Sequence, residues 1–339
     1  TDNTDISNNP PRDYNNSRLL DVHIWSDYPE VNEFINLIYD AYFRQLSGKI
    51  NITKKHIKIV LLDLYVAWLT DPDLNIAVNM TRDFYSKNFG TNTTRYNELN
   101  ISAKTITVIH TLVDEGLVGY KRGVEAQEGY GRGFVSRIWA KPTLVRMFEK
   151  SALHEFMIYS HHNREVLIMR DENKDDIEYL ETDGTHSQRV VVQQYNELLE
   201  RTFIDIGDAN SPSLAIEKKD GSKNPDKPHY VHISHKGKFT HRVFNNSSWS
   251  ESGRFYGGFW QRIGEGYREK ILINDEETVE LDFSSLHPVL AYAKKGVDYW
   301  KEYKVSPYDI PAEGIDDREA AREVIKKLFL LALNAKNDG

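Results

Sequence analysis

The sequence predicts an α+β chain of more than one domain, and three observations lead there. Its 339 residues exceed one ordinary domain. The first half carries apolar residues at helical spacing, closed by two strand-like stretches. Near the other end, Thr-Val-Glu-Leu-Asp-Phe-Ser-Ser-Leu-His-Pro at 278–288 reads as a strand that ends on an acidic residue and passes into a helix.

Composition narrows the class. Apolar residues make up 40% and charged residues 28%, the balance of a globular protein with room for sizeable cores. The absence of cysteine excludes disulfides, thiolate nucleophiles and Cys-ligated zinc, and it fits a cytoplasmic setting. No apolar run is long enough to span a bilayer, so no membrane partner is expected. The formal charge of −8 argues against a protein that coats nucleic acid indiscriminately, and leaves open a local basic face.

The elements follow in order. Residues 1–20 are rich in Asn, Asp, Ser and Pro and are expected to form a disordered arm. Within 21–50, Val31, Phe34, Ile35, Ile38, Tyr39, Tyr42 and Phe43 recur at helical spacing and predict a docking helix. From 51 to 150 the expected order is a strongly apolar helix at 55–69 stopped by Asp71-Pro72, a helix near 81–88, and a third from Ser102 to the Gly116 stop. Two strands of a hairpin then follow, around 117–123 and 134–140.

Three helices followed by a two-stranded wing resemble a winged helix-turn-helix. That resemblance implies a third helix in a groove of nucleic acid and a wing over the phosphate backbone. Lys104, Thr105 and Thr107 on the third helix and Lys121, Arg122, Arg132 and Arg137 on the wing become candidate nucleic-acid contacts. From 121 to 150 there are seven Lys and Arg against three Glu, a basic stretch in an acidic chain.

Residues 151–240 read as an α+β connector. They include a helix at 187–203 with Val190, Val191, Tyr195, Leu198 and Leu199 inward, and two strands around the His235-Lys-Gly turn. His161-His162 lacks a carboxylate pattern and reads as surface.

From 241 onward the sequence becomes more specific. A carboxylate at a strand end, pointing into a cleft, suits two-metal phosphoryl chemistry. Asp-Phe-Ser-Ser-Leu-His-Pro at 282–288 is similar to motif A of template-directed polymerases, with a family B-like Asp-Phe-x-Ser-Leu-x-Pro. Gly253-Arg254-Phe255-Tyr256 with Gln261 resembles the primer–template segment of family A DNA polymerases and single-subunit phage RNA polymerases. Arg322 and Lys326, four apart, resemble the family A fingers helix.

Together these resemblances imply a polymerase-like palm with the start of the fingers over 241–339. They assign Asp282 and the Phe283 carbonyl to Mg²⁺ or Mn²⁺. Phe283, Ser284, His287, Arg322 and Lys326 fall to a nucleoside triphosphate, with His287 under the sugar. Arg254 and Gln261 fall to DNA or RNA.

The sequence departs from the family in two places. Asn334 and Ala335 stand where an aromatic-Gly pair is expected, and no later hairpin supplies the second metal carboxylate before Gly339. The palm is therefore expected to be incomplete here, and this chain alone is not expected to extend a primer. Three readings fit the residues. The first is a nucleotidyltransferase of phage or mobile-element type, acting in DNA replication or transcription. The second is a non-catalytic winged-helix replication initiator or transcriptional regulator. The third is a metal-dependent nuclease, in which Glu280 and Asp282 share one face of the expected strand.

Overall fold

The computed structural model describes residues 11–89, 94–124, 133–216, 229–310 and 317–335. The described residues are mixed α and β, with ten α-helices and five small sheets. The chain divides into two compact units, Thr1–Thr278 and Val279–Gly339.

The expected disordered arm is corrected for residues 11–20, while 1–10 lie outside the described residues. Strand β1 (Ser17–Leu19) runs parallel to β3 (below), with Ser17 opposite Asn75. Arg12 donates to the carbonyls of Asp73 at 3.0 Å and Pro72 at 3.2 Å. Asn16 is buried and donates to Asp71 Oδ2 at 2.9 Å. A polar segment stays in water only while its polar groups lack partners, and here they have them.

After β2 (Ile24–Trp25), α1 (Pro29–Tyr42) starts with proline at its first position and buries Val31, Phe34, Ile35, Ile38 and Tyr39, the expected face. Helix α2 (Ile50–Thr70) is apolar on nearly every side and forms the axis of the main core. It ends at Asp71, before Pro72. Its buried Lys58 and Asp63 both have partners. Lys58 donates to Ser26 O at 2.9 Å and Asn32 Oδ1 at 2.7 Å, and Asp63 pairs with Arg18 at 2.6 Å.

Next come β3 (Asn75–Val78), α3 (Arg82–Phe89), α4 (Lys104–Asp114), β4 (Val118–Lys121) and β5 (Ser136–Ala140). The sheet order is β1-β3-β5-β4, with β5 antiparallel to both neighbours. Strand β3 was not expected. Its four residues are all buried, so no alternation marks it in the sequence. Gly116 takes φ +71°, and the Leu117 N–H returns to the Leu112 carbonyl at 3.0 Å, which closes α4 at the expected stop. Helix α5 (Pro142–Lys150) packs Phe148 against Phe34 and Tyr65.

The rest of the first unit comprises β6 (Tyr159–Ser160), β7 (Leu167–Met169), α6 (Asp183–Arg201), β8 (Ile204–Ile206), β9 (Ser213–Ile216), β10 (His229–His232), β11 (His241–Phe244), β12 (Ser252–Tyr256), α7 (Glu265–Arg268), β13 (Ile271–Ile273) and β14 (Glu276–Glu277). Strands β2 and β6 pair, as do β9 and β10, and two three-stranded sheets run β12-β11-β7 and β14-β13-β8. The stretches on either side of His235 therefore pair with other strands rather than with each other.

Helix α6 forms where expected, but it buries Thr185, Val192, Asn196 and Leu199 and leaves Val190, Val191, Tyr195 and Leu198 exposed. Asn196 sets that rotation by bonding the Thr240 backbone in both directions, at 2.7 and 2.8 Å. Arg95 and Arg189 meet Glu165, Glu178 and Glu181 in one ion cluster, which ties the stretch before α4 to α6.

The second unit holds α8 (Leu286–Ala293), α9 (Tyr299–Glu302) and α10 (Arg318–Asn334). The strand expected over 278–283 is not formed. Strand β14 stops at Glu277, and the alternating residues beyond it have no neighbouring ladder. An apolar–polar alternation becomes a strand only when a second backbone satisfies its N–H and C=O groups.

Candidate functional site

The candidate residues fall into three groups. The first lies on α4 and the hairpin. Thr105 is corrected: it is 1% exposed, and its hydroxyl donates to the Ser102 carbonyl at 3.0 Å, so it is a core residue. Thr107 is exposed, and His110 and Asp114 share its face at helical spacing, also exposed. Lys104 is partly buried and donates to Ser47 O at 3.3 Å. The outward face of α4 is thus polar rather than strongly cationic.

The exposed cations of this group are Lys121, at the end of β4, and the adjacent Arg122. Lys121 Nζ lies 5.6 Å from the centre of the Tyr14 ring. Arg137 has a different role: it donates to Tyr14 O at 3.1 Å and Val135 O at 2.6 Å, and partial burial holds its pKa below the ordinary arginine value. It anchors the N-terminal segment to the hairpin. Arg132 lies outside the described residues.

The second group is in the 241–278 part of the first unit. Arg254 is exposed on β12, opposite Val243 of β11. Gln261 is exposed and donates to Phe255 O at 3.0 Å, which fastens the short turn at Phe259–Gln261 to β12. Gly257 takes φ +122°, and a Cβ there would stand 2.2 Å from Phe239 O, so only glycine fits this approach.

The third group belongs to the second unit. Asp282, Phe283, Ser284 and His287 are all exposed, and Pro288 turns inward at the start of α8. Asp282 Oδ1 accepts from the Phe283 N–H at 2.8 Å. The carboxylate caps no helix. Ser285, at φ 55°, precedes α8 and offers it no side-chain bond. Arg322 and Lys326 are exposed one turn apart on α10. Lys326 Nζ lies 3.8 Å from Glu323 Oε1, an exposed pair of small energetic weight. Tyr292, Tyr299 and Tyr303 cluster beside α8 and α9, with ring centres 4.9 to 5.5 Å apart.

Asp282 fits one hard-oxygen ligand of a divalent cation. Among the described residues no group of three or more His, Asp or Glu converges to hold a metal, and that includes His161 and His162, which stack 4.5 Å apart. No described helix is long and apolar enough to cross a membrane.

Sequence reasoning missed His110 and the polar residues of α2. The signal for the latter was present: a lone Asp63 inside Ile-Val-Leu-Leu-Asp-Leu-Tyr-Val demands a buried partner, which is Arg18. The chain matches no family model, no curated protein and no solved structure.

Proposed function

We propose that the chain is a polymerase-like nucleotidyltransferase that engages nucleic acid through a winged helix and nucleotides through the segment around Asp282. The observation that carries the proposal is the state of Asp282. Its carboxylate is exposed and serves no helix cap, and the same compact unit holds the Arg322–Lys326 turn of α10. The N-cap position of α8 falls to Ser285, three residues further on, so capping makes no claim on the Asp282 carboxylate.

In this reading Asp282 and the Phe283 carbonyl hold Mg²⁺ or Mn²⁺. The cation would neutralise charge on the triphosphate as nucleotidyl transfer proceeds. Arg322 and Lys326 bind phosphate oxygens, Lys326 exchanging its weak pairing with Glu323 for a stronger one. His287, exposed in the first turn of α8, faces the sugar. Arg254 and Gln261 contact the primer–template backbone.

The element order from α2 to β5, with a sheet in which β5 lies between β3 and β4, supports the winged-helix part. Lys121 and Arg122 lie at the tip-side end of β4, where a wing meets phosphates. A second reading, a non-catalytic initiator or regulator, is favoured by the missing strand at 278–283.

Duplex binding tests the nucleic-acid half common to both readings. Lys121→Ala with Arg122→Ala is expected to weaken binding and reduce the slope of log K against log salt by roughly 2. An unchanged slope would exclude the hairpin as the contact. Asp282→Ala should leave duplex binding intact.

A further inference from the structure

A cleft of about 410 Å³ opens in the first unit between the β1 segment, α2 and the stretch that runs from β10 past Lys236. Leu19, Ile24 and Val66 are apolar parts of its lining, and Arg18, Lys236 and Arg262 bring positive charge to it. That size falls within the range of small-ligand sites.

Its acids are already committed. Asp63 pairs with Arg18 at 2.6 Å and also accepts from the Asp21 N–H at 3.0 Å. Asp21 accepts from the His23 N–H at 3.0 Å and lies 3.9 Å from Arg164. His232 is held neutral: burial, then the nearby Arg18 and Arg262, depress its pKa to about 4, and its Nε2 lies 2.8 Å from Asn16 Oδ1.

Two cations remain without a carboxylate. Lys236 Nζ donates to the Ile158 carbonyl, and Glu155 and Glu200 act on it only beyond ion-pair range. The Arg262 side chain is exposed at the cleft and makes no hydrogen bond or ion pair among the described residues. The Ser234 hydroxyl accepts from the Lys236 N–H at 3.2 Å and keeps its own proton available.

Lys236 is half-buried without a carboxylate, and the exposed Arg262 guanidinium stands at the same cleft with its donors unclaimed, so an anion with several acceptor oxygens would pair with both. We infer that this cleft binds a phosphate group, with Arg262 and Lys236 as its charged donors and Ser234 as a neutral one. The apolar residues in the same lining suit the rest of a nucleotide. Arg262 adjoins Gln261 in the region given to the palm, whereas Lys236, Ser234 and the rest of the lining precede it; the inference rests on the cleft itself and not on the proposed function.

The test uses the full chain carrying Arg322→Ala and Lys326→Ala, so that phosphate binding on α10 cannot contribute. Calorimetric titration with inorganic pyrophosphate should show a site in that background. Adding Arg262→Ala or Lys236→Ala should weaken it about 10-fold or more, while Lys174→Ala, an exposed loop cation, leaves it unchanged. Arg262→Gln serves as a second variant, and each must keep the parent's melting temperature.

A short single-stranded oligonucleotide then identifies the source. Displacement of pyrophosphate places a strand's phosphodiester in the cleft, and no displacement places a free phosphate compound there. Absence of pyrophosphate binding in the background, binding indifferent to Arg262 and Lys236, or equal loss on Lys174→Ala would overturn the inference.

Discussion

The helix-and-hairpin region at 50–150 and the segment at 279–335 are both rich in apolar residues, yet they use them differently. Helix α2 buries thirteen of its twenty-one residues. In the other segment Val279, Leu281 and Phe283 are 82%, 89% and 76% exposed, and burial there is confined to Pro288, Tyr299, Tyr308 and Ala321 among the described residues. The contrast teaches where function and stability separate. The first region holds itself together through packing, whereas the second presents side chains outward, including the one carboxylate with a proposed chemical role.

The largest expected effect exploits that difference. Leu62→Ala removes a fully buried side chain from α2 and should cost about 2–5 kcal/mol, whereas Leu281→Ala should change stability by no more than about 0.5 kcal/mol. Urea unfolding of both variants measures the gap, and equal losses would break the comparison.

A somewhat smaller effect comes from His56, a buried histidine of α2. Its Nδ1–H donates to Ile52 O at 2.7 Å, so its Nε2 accepts the Ser102 N–H at 3.1 Å. A second ring proton would face a donor, and burial depresses the pKa to about 4. The folded value lies below the ordinary 6.5, so this stabilisation is complete above that pH and is lost as pH falls through about 4. It amounts to roughly 3 kcal/mol. Unfolding midpoints at pH 7 and pH 4 should therefore fall further for the parent chain than for His56→Gln. Parallel falls would show that His56 is not the titrating group.

How far the sequence could be read follows the same divide. Helices α1, α2 and α4 and the Gly116 stop were legible because each rests on local spacing, caps and breakers. Strand β3 was not, because a strand buried on both faces has no alternation to mark it. The seating of residues 11–20 was hidden as well, since Asn16 and Arg12 gain their partners only across the fold, from Asp71 to Asp73.

The face of α6 was misread because one buried Asn outweighs several valines in fixing its rotation. Among the candidate site residues, Asp282, His287, Arg322 and Lys326 belong to local motifs and are exposed. Thr105 and Arg137 were read as contacts, yet packing and backbone carbonyls claim them. The cleft around Arg262 draws on segments far apart in the chain, and no local pattern announces it.

The most direct test of the account is Mn²⁺ binding in the presence of a nucleoside triphosphate, followed by the loss of the free-ion signal in electron paramagnetic resonance. The account predicts that the chain takes up Mn²⁺ together with the nucleotide, and that Asp282→Ala abolishes the uptake without lowering the melting temperature. Equal uptake by the parent chain and Asp282→Ala, or none by either, would contradict it.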